Sequence, residues 1–397
     1  MNRRRLGSEE TEVFKDVYWM RDTATKVMRR VKKLIGRPDN SPWVLRPGRA
    51  AARGGDAYVD FVVGLDFLGN NAVLTHMFQE AMAPYGLSLL VANKHNVATL
   101  TRELRARTIR PHVYLDLCSA VHPEFGDLLK AAADAGVYTV GHPDKLHQWT
   151  YKARAQAKLE EAGLPVPPTV VIRADEPTRE LTAEERQHVG ERCVIKPSWG
   201  VAGKGVMVNV KPTAENIAAA RQFDPKDDYL VQRMIKWERF GNRTAYLRGY
   251  NVLGTRTLLW WAPENKEYNL VTWDDVREHD LMGAVELIDR MAAVTDMDYF
   301  SSEIAITNGV GQPRFVLIDY CNDQCDMNPV SAQADGPPDE WAKWVCERFA
   351  EFVWRKKHGI EPPDGHSMWL AGPSSASSPS TPSSSTSTPS PRIVSAA

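Results

Sequence analysis

The chain has 397 residues, of which 43% are hydrophobic and 25% are charged, and its formal net charge is -1. This length indicates two or three domains, and the near-neutral charge provides no general attraction to nucleic acids or acidic membranes. No apolar run reaches the roughly 18 residues of a transmembrane helix. Five cysteines in so long a chain do not indicate a disulfide framework, so a cytoplasmic location is expected.

The two ends of the chain differ from its central part in composition. Residues 8–35 have the apolar spacing of an amphipathic helix, with Ser8 as its cap. This helix is either a docking helix for an anionic surface or partner or, in the favoured interpretation, a helix packed on the body with a solvated basic side. Residues 38–56 are expected to be a linker, and the Ser/Thr/Pro-rich residues 372–397 a disordered tail.

Short apolar strands alternate with helices from Tyr58 to Val140, which predicts a parallel sheet covered on both faces. The first strand runs into Gly64–Asn71, which is either a structural turn or a ligand contact at the carboxyl end of the sheet. No G-x-G-x-x-G motif follows it, which argues against a nicotinamide cofactor. Six histidines scattered through this region have no ligand spacing and are expected to be surface or packed residues.

The central motif is the segment from Cys193 to Val208, which reads C-V-I-K-P-S-W-G-V-A-G-K-G-V-M-V. Its apolar ends predict two paired strands. Between them lie Lys196 and a glycine-rich loop, whose backbone amides can approach phosphate oxygens. By itself the motif fits a phosphate-binding loop and a flexible hairpin about equally.

The following segments are expected to contain antiparallel strands at 243–247, 251–253 and 257–260, with turns at Gly249 and Gly254. One long helix is expected over residues 276–293. Three tryptophans in this region either line a lid or are buried by packing, namely Trp260, Trp261 and Trp273. The pair Cys321 and Cys325 has no second pair or histidine cluster nearby, which argues against a zinc site.

The last predicted strand pair carries two acids and an amide, namely Glu303, Asp319 and Asn322. Oxygen ligands of this kind suit Mg²⁺, which binds few protein groups and keeps positions for water and nucleotide phosphates. An acid at the end of an apolar strand is costly to bury unpaired, which favours a role for Asp319. The alternative is that all three are ordinary strand-end and turn residues.

Together these features resemble the ATP-grasp superfamily, over about Trp149 to Asp326. The resemblance depends on their order along the chain: A-G-L-P-V-P-P-T at Ala162–Thr169, then V-I-K-P with the glycine loop, then the strand Tyr229–Gln232, then the acidic strand pair. It implies a parallel α/β preATP-grasp domain over residues 57–145, after an N-terminal helix and linker over residues 1–56. A two-lobed α+β ATP-grasp domain would follow over residues 146–360.

The resemblance also implies roles for individual residues. Lys196 matches the lysine that contacts the nucleotide phosphates, and Lys152 matches the second lysine, with Lys145 and Lys158 as nearby alternatives. Magnesium would be held by Glu303, Asp319 and Asn322, with Mn²⁺ as an alternative metal. The remaining ATP-binding candidates are the flap residues Gly203, Lys204 and Gly205, the adenine hinge Gln232, Arg233 and Met234, and the ribose candidate Glu238.

Two departures from the family pattern are visible. The family often spaces its last acid and asparagine as E-x-N, whereas Asp319 and Asn322 are separated by one residue more, which would require a β-bulge or an early end of the strand. Dipeptide-ligase relatives carry an arginine two residues before the first acid, where this chain has Ser301. The substitute is chosen as Arg256, with Arg243, Arg248 and Arg314 as alternatives.

The activity implied is that of an ATP-dependent ligase, which activates a carboxylate as an acyl phosphate for attack by an amine, or alternatively a thiol. The substrates would be small molecules or peptides, without a nucleic-acid partner, and a homodimer is left open. Two other functions also stay open, namely an ATP-dependent kinase of a small hydroxyl substrate and a nucleotide-binding module without turnover.

Overall fold

The computed structural model describes residues 44–45, 57–65, 72–120, 122–176, 179–200, 203–361, 367–372 and 394–395. The predicted N-terminal helix, most of the predicted linker and nearly all of the predicted tail lie outside these residues. In the described part of the chain, none of the helices is both long and apolar enough for a membrane span. All five cysteines are buried and unbridged.

The first sheet contains five strands in the order β1-β3-β2-β4-β5, and its four strands after β1 run parallel to one another. The strands are β1 (Val44–Leu45), β2 (Ala57–Gly64), β3 (Leu89–Ala92), β4 (Ile109–Asp116) and β5 (Tyr138–Val140). Helices pack on both faces because the strand residues are apolar on both sides. These helices include α1 (Ala72–Met82), α2 (Val97–Arg105) and α3 (Pro123–Asp134). The predicted parallel sheet is confirmed.

A short helical segment leads to a second, antiparallel sheet with the order β6-β9-β7-β8. Its strands are β6 (Thr169–Ile172), β7 (Cys193–Pro197), β8 (Met207–Val210) and β9 (Tyr229–Arg233). The helices of this region are α4 (Pro143–Trp149), α5 (Lys152–Glu161), α6 (Ala183–Val189) and α7 (Ala214–Arg221). Its core is small, and it is built from one face of the sheet, α6 and α7.

The third sheet follows the order β16-β15-β12-β13-β17-β18, with β14 also paired to β13. Its strands are β12 (Tyr246–Val252), β13 (Thr255–Ala262), β14 (Glu267–Leu270), β15 (Tyr299–Ile306), β16 (Phe315–Asn322), β17 (Ser367–Met368) and β18 (Val394–Ser395), and a separate hairpin is formed by β10 (Arg239–Phe240) and β11 (Arg243–Thr244). Three helices accompany this sheet, namely α8 (Trp273–His279), α9 (Met282–Thr295) and α10 (Asp339–His358).

Two details of this region differ from the sequence prediction. Gly249 is not a turn, because it lies in the middle of β12. A side chain at that position would meet Ile288 of α9 at 2.7 Å, so the glycine permits close packing of helix on strand. The single helix predicted over 276–293 is two helices, since Asp280 adopts a φ of +49° and ends α8.

Helix α10 packs on the parallel sheet although it follows β12 to β16 of the third sheet in the chain. Phe349 of α10 stacks against Phe61 of β2, with ring centroids 6.1 Å apart. Another α10 side chain, Trp341, packs 4.5 Å from Tyr250 of β12. One hydrophobic core therefore includes residues of the first sheet, α10 and the third sheet.

Lys357 of α10 also forms an ion pair with Asp60 of β2, at 2.9 Å. The other carboxylate oxygen of Asp60 accepts hydrogen bonds from the backbone and the hydroxyl of Ser88 at 2.8 and 2.9 Å. Burial alone would raise the pKa of Asp60, but the bonds from Ser88 and the charge of Lys357 outweigh it and lower the pKa.

Asp60→Asn is expected to lower the free energy of unfolding at pH 7 by about 2 kcal/mol, because Ser88 and Lys357 lose a charged hydrogen-bond acceptor. A carboxyl with a lowered folded-state pKa stabilises above its unfolded pKa of about 3.9, and this contribution is lost as pH falls through the folded value. The difference between wild type and variant in urea unfolding should therefore shrink once the pH falls below about 4. The exposed Asp134→Asn is the control, and a pH-independent difference would contradict the assignment.

Candidate functional site

The candidate site lies where β7 of the second sheet meets β16 of the third. The ammonium of Lys196, on β7, donates a hydrogen bond to the carbonyl of Ile318 at 3.0 Å. The same nitrogen lies 3.7 Å from the Asp319 carboxylate and 5.2 Å from the ring centre of Tyr320. Lys196 is therefore held across the junction of the two sheets.

Lys196 is buried, with 6% of its surface exposed. A charge in such a position is costly unless it is paired. Burial lowers the pKa of Lys196, and the nearby Lys152 lowers it further, whereas Asp319 and Glu303 oppose the change. The ammonium is thus one of several charges that meet at this junction.

Glu303 and Asp319 stand opposite each other in the ladder between β15 and β16. Ser301 is paired with Asn322, so three residues of β16 span the same length as two residues of β15. This irregularity supplies the extra residue that the spacing of Asp319 and Asn322 requires. The register therefore places the two acids opposite each other within the strand pair and Asn322 at the end of β16.

Several positively charged side chains act on the carboxyl group of Asp319. Burial among protein atoms would raise the pKa of this carboxyl, but Lys152, Lys196 and Arg248 outweigh burial and lower the pKa. About 43% of the Asp319 side chain is nevertheless exposed. Asp319 is therefore a partly exposed carboxylate that is stabilised in its ionised form by nearby lysine and arginine charges.

Lys152 is the first residue of α5, and its ammonium donates to the carbonyl of Gly200 at 2.8 Å. Its backbone amide donates to the carbonyl of Ser198 at 3.0 Å, so the start of α5 is bound to the glycine loop twice. The two alternative lysines lie elsewhere: Lys145 pairs with Asp296, and Lys158 lies over the ring of Trp149. Of these three lysines, Lys152 is the one beside the loop.

The predicted flap residues Gly203 and Lys204 are exposed, and Gly205 is half-buried. Gly203 and Gly205 have φ values of +70° and +72°, which L side chains rarely adopt. A Cβ on Gly205 would also lie 2.5 Å from the ring of Phe223, whereas a Cβ on Gly203 would meet nothing within 4 Å.

Gly205→Ala is therefore expected to destabilise the second sheet more than Gly203→Ala, which adds only backbone strain of about 1 kcal/mol. Thermal unfolding of both variants tests this difference. Adding Phe223→Ala to Gly205→Ala should remove the collision and bring the double variant back to the level of Gly203→Ala. Equal losses for the two glycine variants would contradict the contact with Phe223.

The predicted hinge residues are placed on β9 and just after it. The buried amide of Gln232 donates to the Tyr320 hydroxyl at 2.8 Å and to Thr169 at 3.1 Å, so it joins the second sheet to the third. Arg233 donates to carbonyls of α6, and the backbone of Met234 donates to Arg192 at 3.1 Å. Glu238 is half-buried, and its backbone amide bonds to Ile306 at 2.8 Å.

An apolar cluster borders the hinge, and sequence reasoning did not single out most of its members. Tyr246 of this cluster donates to the Glu303 carboxylate at 2.9 Å, so the cluster adjoins the acids. Its aromatic and aliphatic side chains could contact a planar base. They are Ile235, Trp237, Tyr246, Trp261 and Ile318. The three tryptophans named from the sequence serve in packing: Trp260 is buried, Trp261 lies 4.3 Å from Tyr268, and Trp273 packs on a core.

Comparison with solved structures finds many similar folds, which include the following three. A RimK-domain ATP-grasp protein from Sphaerobacter thermophilus matches with a TM-score of 0.52 and 16% identity, over 74% of this chain and 98% of that one. D-cycloserine synthetase matches with a TM-score of 0.52 and 13% identity, over 75% and 100%. D-alanine–D-alanine ligase from Bacillus anthracis, complexed with ATP, matches with a TM-score of 0.52 and 12% identity, over 75% and 98%.

This chain has the ATP-grasp fold. The resemblance inferred from the sequence is confirmed at the level of the fold. No family model matches the sequence. A search of curated proteins finds no significant match.

Within this ATP-grasp fold, Arg256 is not brought to the acids. It forms an ion pair with Asp289 of α9 at 2.5 Å and donates to Asn251, so it lies on the helix-covered face of β13. Arg248 of β12 lies opposite Glu303 in the ladder, with its guanidinium 3.4 Å from the carboxylate. It also donates to the Ser301 hydroxyl at 3.2 Å. The register explains the difference, because Arg256 pairs with Asn251, and Asn251 is three residues from Arg248 along β12. Residues an odd number apart in a strand point to opposite faces, and the register between strands could not be read from the sequence.

The residues at the junction fit a magnesium–nucleotide complex in their donor chemistry. Two carboxylates face each other across the strand pair and Asn322 ends β16, with Lys196 and Arg248 beside the acids. No cluster of three or more His, Cys, Asp or Glu side chains suitable for a metal occurs among the described residues. A set with so few protein ligands is the kind that Mg²⁺ uses when phosphate oxygens complete its shell.

Proposed function

We propose that this protein is an ATP-dependent ligase that activates a carboxylate as an acyl phosphate for attack by an amine. The observation that carries the proposal is the junction of β7 and β16, where Lys196 lies 3.7 Å from Asp319 and Glu303 stands opposite that acid. A triphosphate and its metal need cations and carboxylates in this arrangement. The ligase names of the similar structures are consistent with it.

In this proposal the nucleotide phosphates are bound by Lys152 and Lys196, with the backbone of Gly203, Lys204 and Gly205 over them. Glu303, Asp319 and Asn322 hold Mg²⁺, or Mn²⁺ in its place, which supplies neutralisation of the phosphate charge. The base lies at Gln232, Arg233 and Met234 against the apolar cluster, and Glu238 is the ribose candidate. Catalysis is then chiefly positioning and charge stabilisation.

Arg248 replaces Arg256 as the arginine of the proposed mechanism. Its guanidinium is bound to Ser301, at the position where dipeptide-ligase relatives are expected to carry an arginine, and it lies beside Glu303. With 14% of the side chain exposed, it has little freedom to move away. A guanidinium fixed in this way can stabilise negative charge on the transferred phosphoryl group and on the acyl oxyanion that forms later.

The acceptor is proposed to enter at the carboxyl end of the parallel sheet, where ligands bind in open α/β sheets. Gly64 and Asp116 end neighbouring strands there. The predicted substrate segment Gly64–Asn71 begins at this edge, although residues 66–71 lie outside the described part. Residues 57–145 would thus present the acceptor and residues 146–360 the nucleotide. The proposal includes a cytoplasmic location, small-molecule or peptide substrates and no nucleic-acid partner, and it leaves a homodimer open.

Incubation with ATP, Mg²⁺ and a panel of carboxylates and amines, with ADP release as the readout, tests the proposal. Added hydroxylamine should trap an acyl phosphate as a hydroxamate when the right carboxylate is present. ADP formation with a hydroxyl substrate and without hydroxamate would instead establish a kinase. Tight ATP binding without turnover across the panel would favour a nucleotide-binding module.

A further inference from the structure

The side chain of Gln324 connects the turn after β16 to the carboxyl end of β4. Its Nε2 donates to the Ser119 hydroxyl at 2.7 Å and to the Asp116 carboxylate at 3.2 Å. Its Oε1 accepts the backbone N–H of Ala120 at 3.0 Å. Both ends of one amide are therefore used to join segments that lie 208 residues apart in the chain.

Asp116, which accepts the hydrogen bond from Gln324, is itself held in place. Asp116 is the last residue of β4 and is only 3% exposed. One of its oxygens accepts the backbone N–H groups of Cys118 and Ser119 at 3.0 and 3.1 Å. The other accepts the Ser119 hydroxyl and the Gln324 amide. A buried carboxylate with this many hydrogen bonds is a rigid anchor.

Gln324 lies next to the proposed metal site. Gln324 follows Asn322, the last residue of β16, by two positions. The Cys325 thiol donates to the carbonyl of Asn322 at 3.2 Å, which closes the turn that carries Gln324. Because Gln324 is so close to Asn322 in the chain, fixing its side chain also limits the movement of Asn322, and through β16 that of Asp319.

We infer that Gln324 is a positioning residue, which aligns the metal-binding end of β16 with the carboxyl edge of the parallel sheet through Asp116 and Ser119. The inference rests on the proposed function, because that function assigns the metal to β16 and the acceptor to that edge. Gln324 itself contacts neither the proposed metal nor the proposed acceptor. It sets the orientation of Asn322, as groups behind metal ligands commonly do, and it keeps the phosphoryl centre in line with the acceptor.

The donor and acceptor roles in this network can be exchanged by substituting both residues, which gives a test with matched single and double variants. Gln324→Glu places two carboxylates against each other, and Asp116→Asn places two amide NH₂ groups against each other. In the double variant the amide introduced at position 116 donates and the carboxylate introduced at position 324 accepts, while Ser119 turns its hydroxyl and the backbone N–H bonds are kept. The pair is therefore restored with its polarity exchanged.

In each single variant, the factor by which Mg²⁺ increases the affinity for ATP is expected to fall about tenfold. This is the usual effect of losing a group that orients a metal ligand. ATP affinity without Mg²⁺ should be unchanged, and the double variant should recover most of the loss. Isothermal titration of the full chain with ATP at varied Mg²⁺ measures both quantities. The control is Gln187→Glu, on the exposed face of α6.

Amide hydrogen exchange of residues 117–120 and 320–328, without nucleotide, provides a second measurement. Both segments should lose protection together in the single variants and regain it in the double variant. Folded single variants with unchanged metal dependence, or a double variant without recovery, would overturn the positioning role. If wild type binds no ATP, the proposed function fails instead, and unchanged exchange in the single variants would then reject the connection as well.

Discussion

Lys196→Met is expected to reduce ATP-dependent turnover by about 10²- to 10³-fold or more, because a preorganised charge at the phosphate site is lost while the protein stays folded. The ammonium is held between the Ile318 carbonyl and the Asp319 carboxylate, so it is already oriented toward the place where phosphate charge would be bound. Removing one such group has an effect of this size in other enzymes. ADP release with the substrates identified by screening measures the effect, together with ATP affinity by titration.

The exposed Lys343 of α10, which is not part of the proposed nucleotide site, provides the comparison. Lys343→Met removes the same charge from the surface, where solvent screens it, and should change turnover much less. If both methionine variants lost activity equally, net charge rather than the fixed position of Lys196 would be responsible. If Lys196→Met kept full activity, the junction of β7 and β16 would not be the phosphate site.

Arg248→Lys is expected to reduce turnover by about 10³-fold with little change in ATP affinity, since an arginine that stabilises a transferred phosphoryl group is worth an effect of this size. Lysine keeps the charge but loses the planar group that binds Ser301, Tyr268 and Glu303 together. Because the loss belongs to the reaction step, it should appear in kcat and not in the KM for ATP.

Arg256→Lys tests whether the arginine chosen from the sequence, rather than Arg248, stabilises the transferred phosphoryl group. Arg256 pairs with Asp289 on the helix-covered face, so its replacement should lower the unfolding temperature and leave the kcat of the remaining folded protein near wild type. Thermal unfolding and steady-state kinetics on both variants distinguish the two arginines. A loss of kcat in Arg256→Lys with unchanged stability would reverse the assignment.

The sequence predicted those features of the site that depend on local order. Lys196 was placed by V-I-K-P between two apolar strands, and the acids by their position at the ends of a strand pair. The structure puts Glu303 opposite Asp319, as adjacent strands of a hairpin allow. The parallel sheet followed from alternating strands and helices, which is also a local pattern.

The features that the sequence did not predict depend on contacts between distant segments. Gly249 looked like a turn because the contact that requires a glycine there is with Ile288, which lies in a helix 39 residues further along the chain. The choice between Arg248 and Arg256 depends on which face of the strand meets α9, and a shift of one residue exchanges the faces. Nothing near Gln324 in the sequence indicates that its amide reaches Asp116, because that contact joins segments far apart in the chain.

Helix α10 has a consequence for the order of biosynthesis. It is made after all strands of the parallel sheet, yet it covers Phe61 and Phe78 of that sheet's core and places Lys357, near its end, on Asp60. On the ribosome, the part of the earliest sheet that α10 covers therefore stays exposed beside α1 until residue 358 has emerged. A chain that stops translation before α10 would expose that part, and chaperones that bind hydrophobic surfaces would have their longest opportunity during this interval.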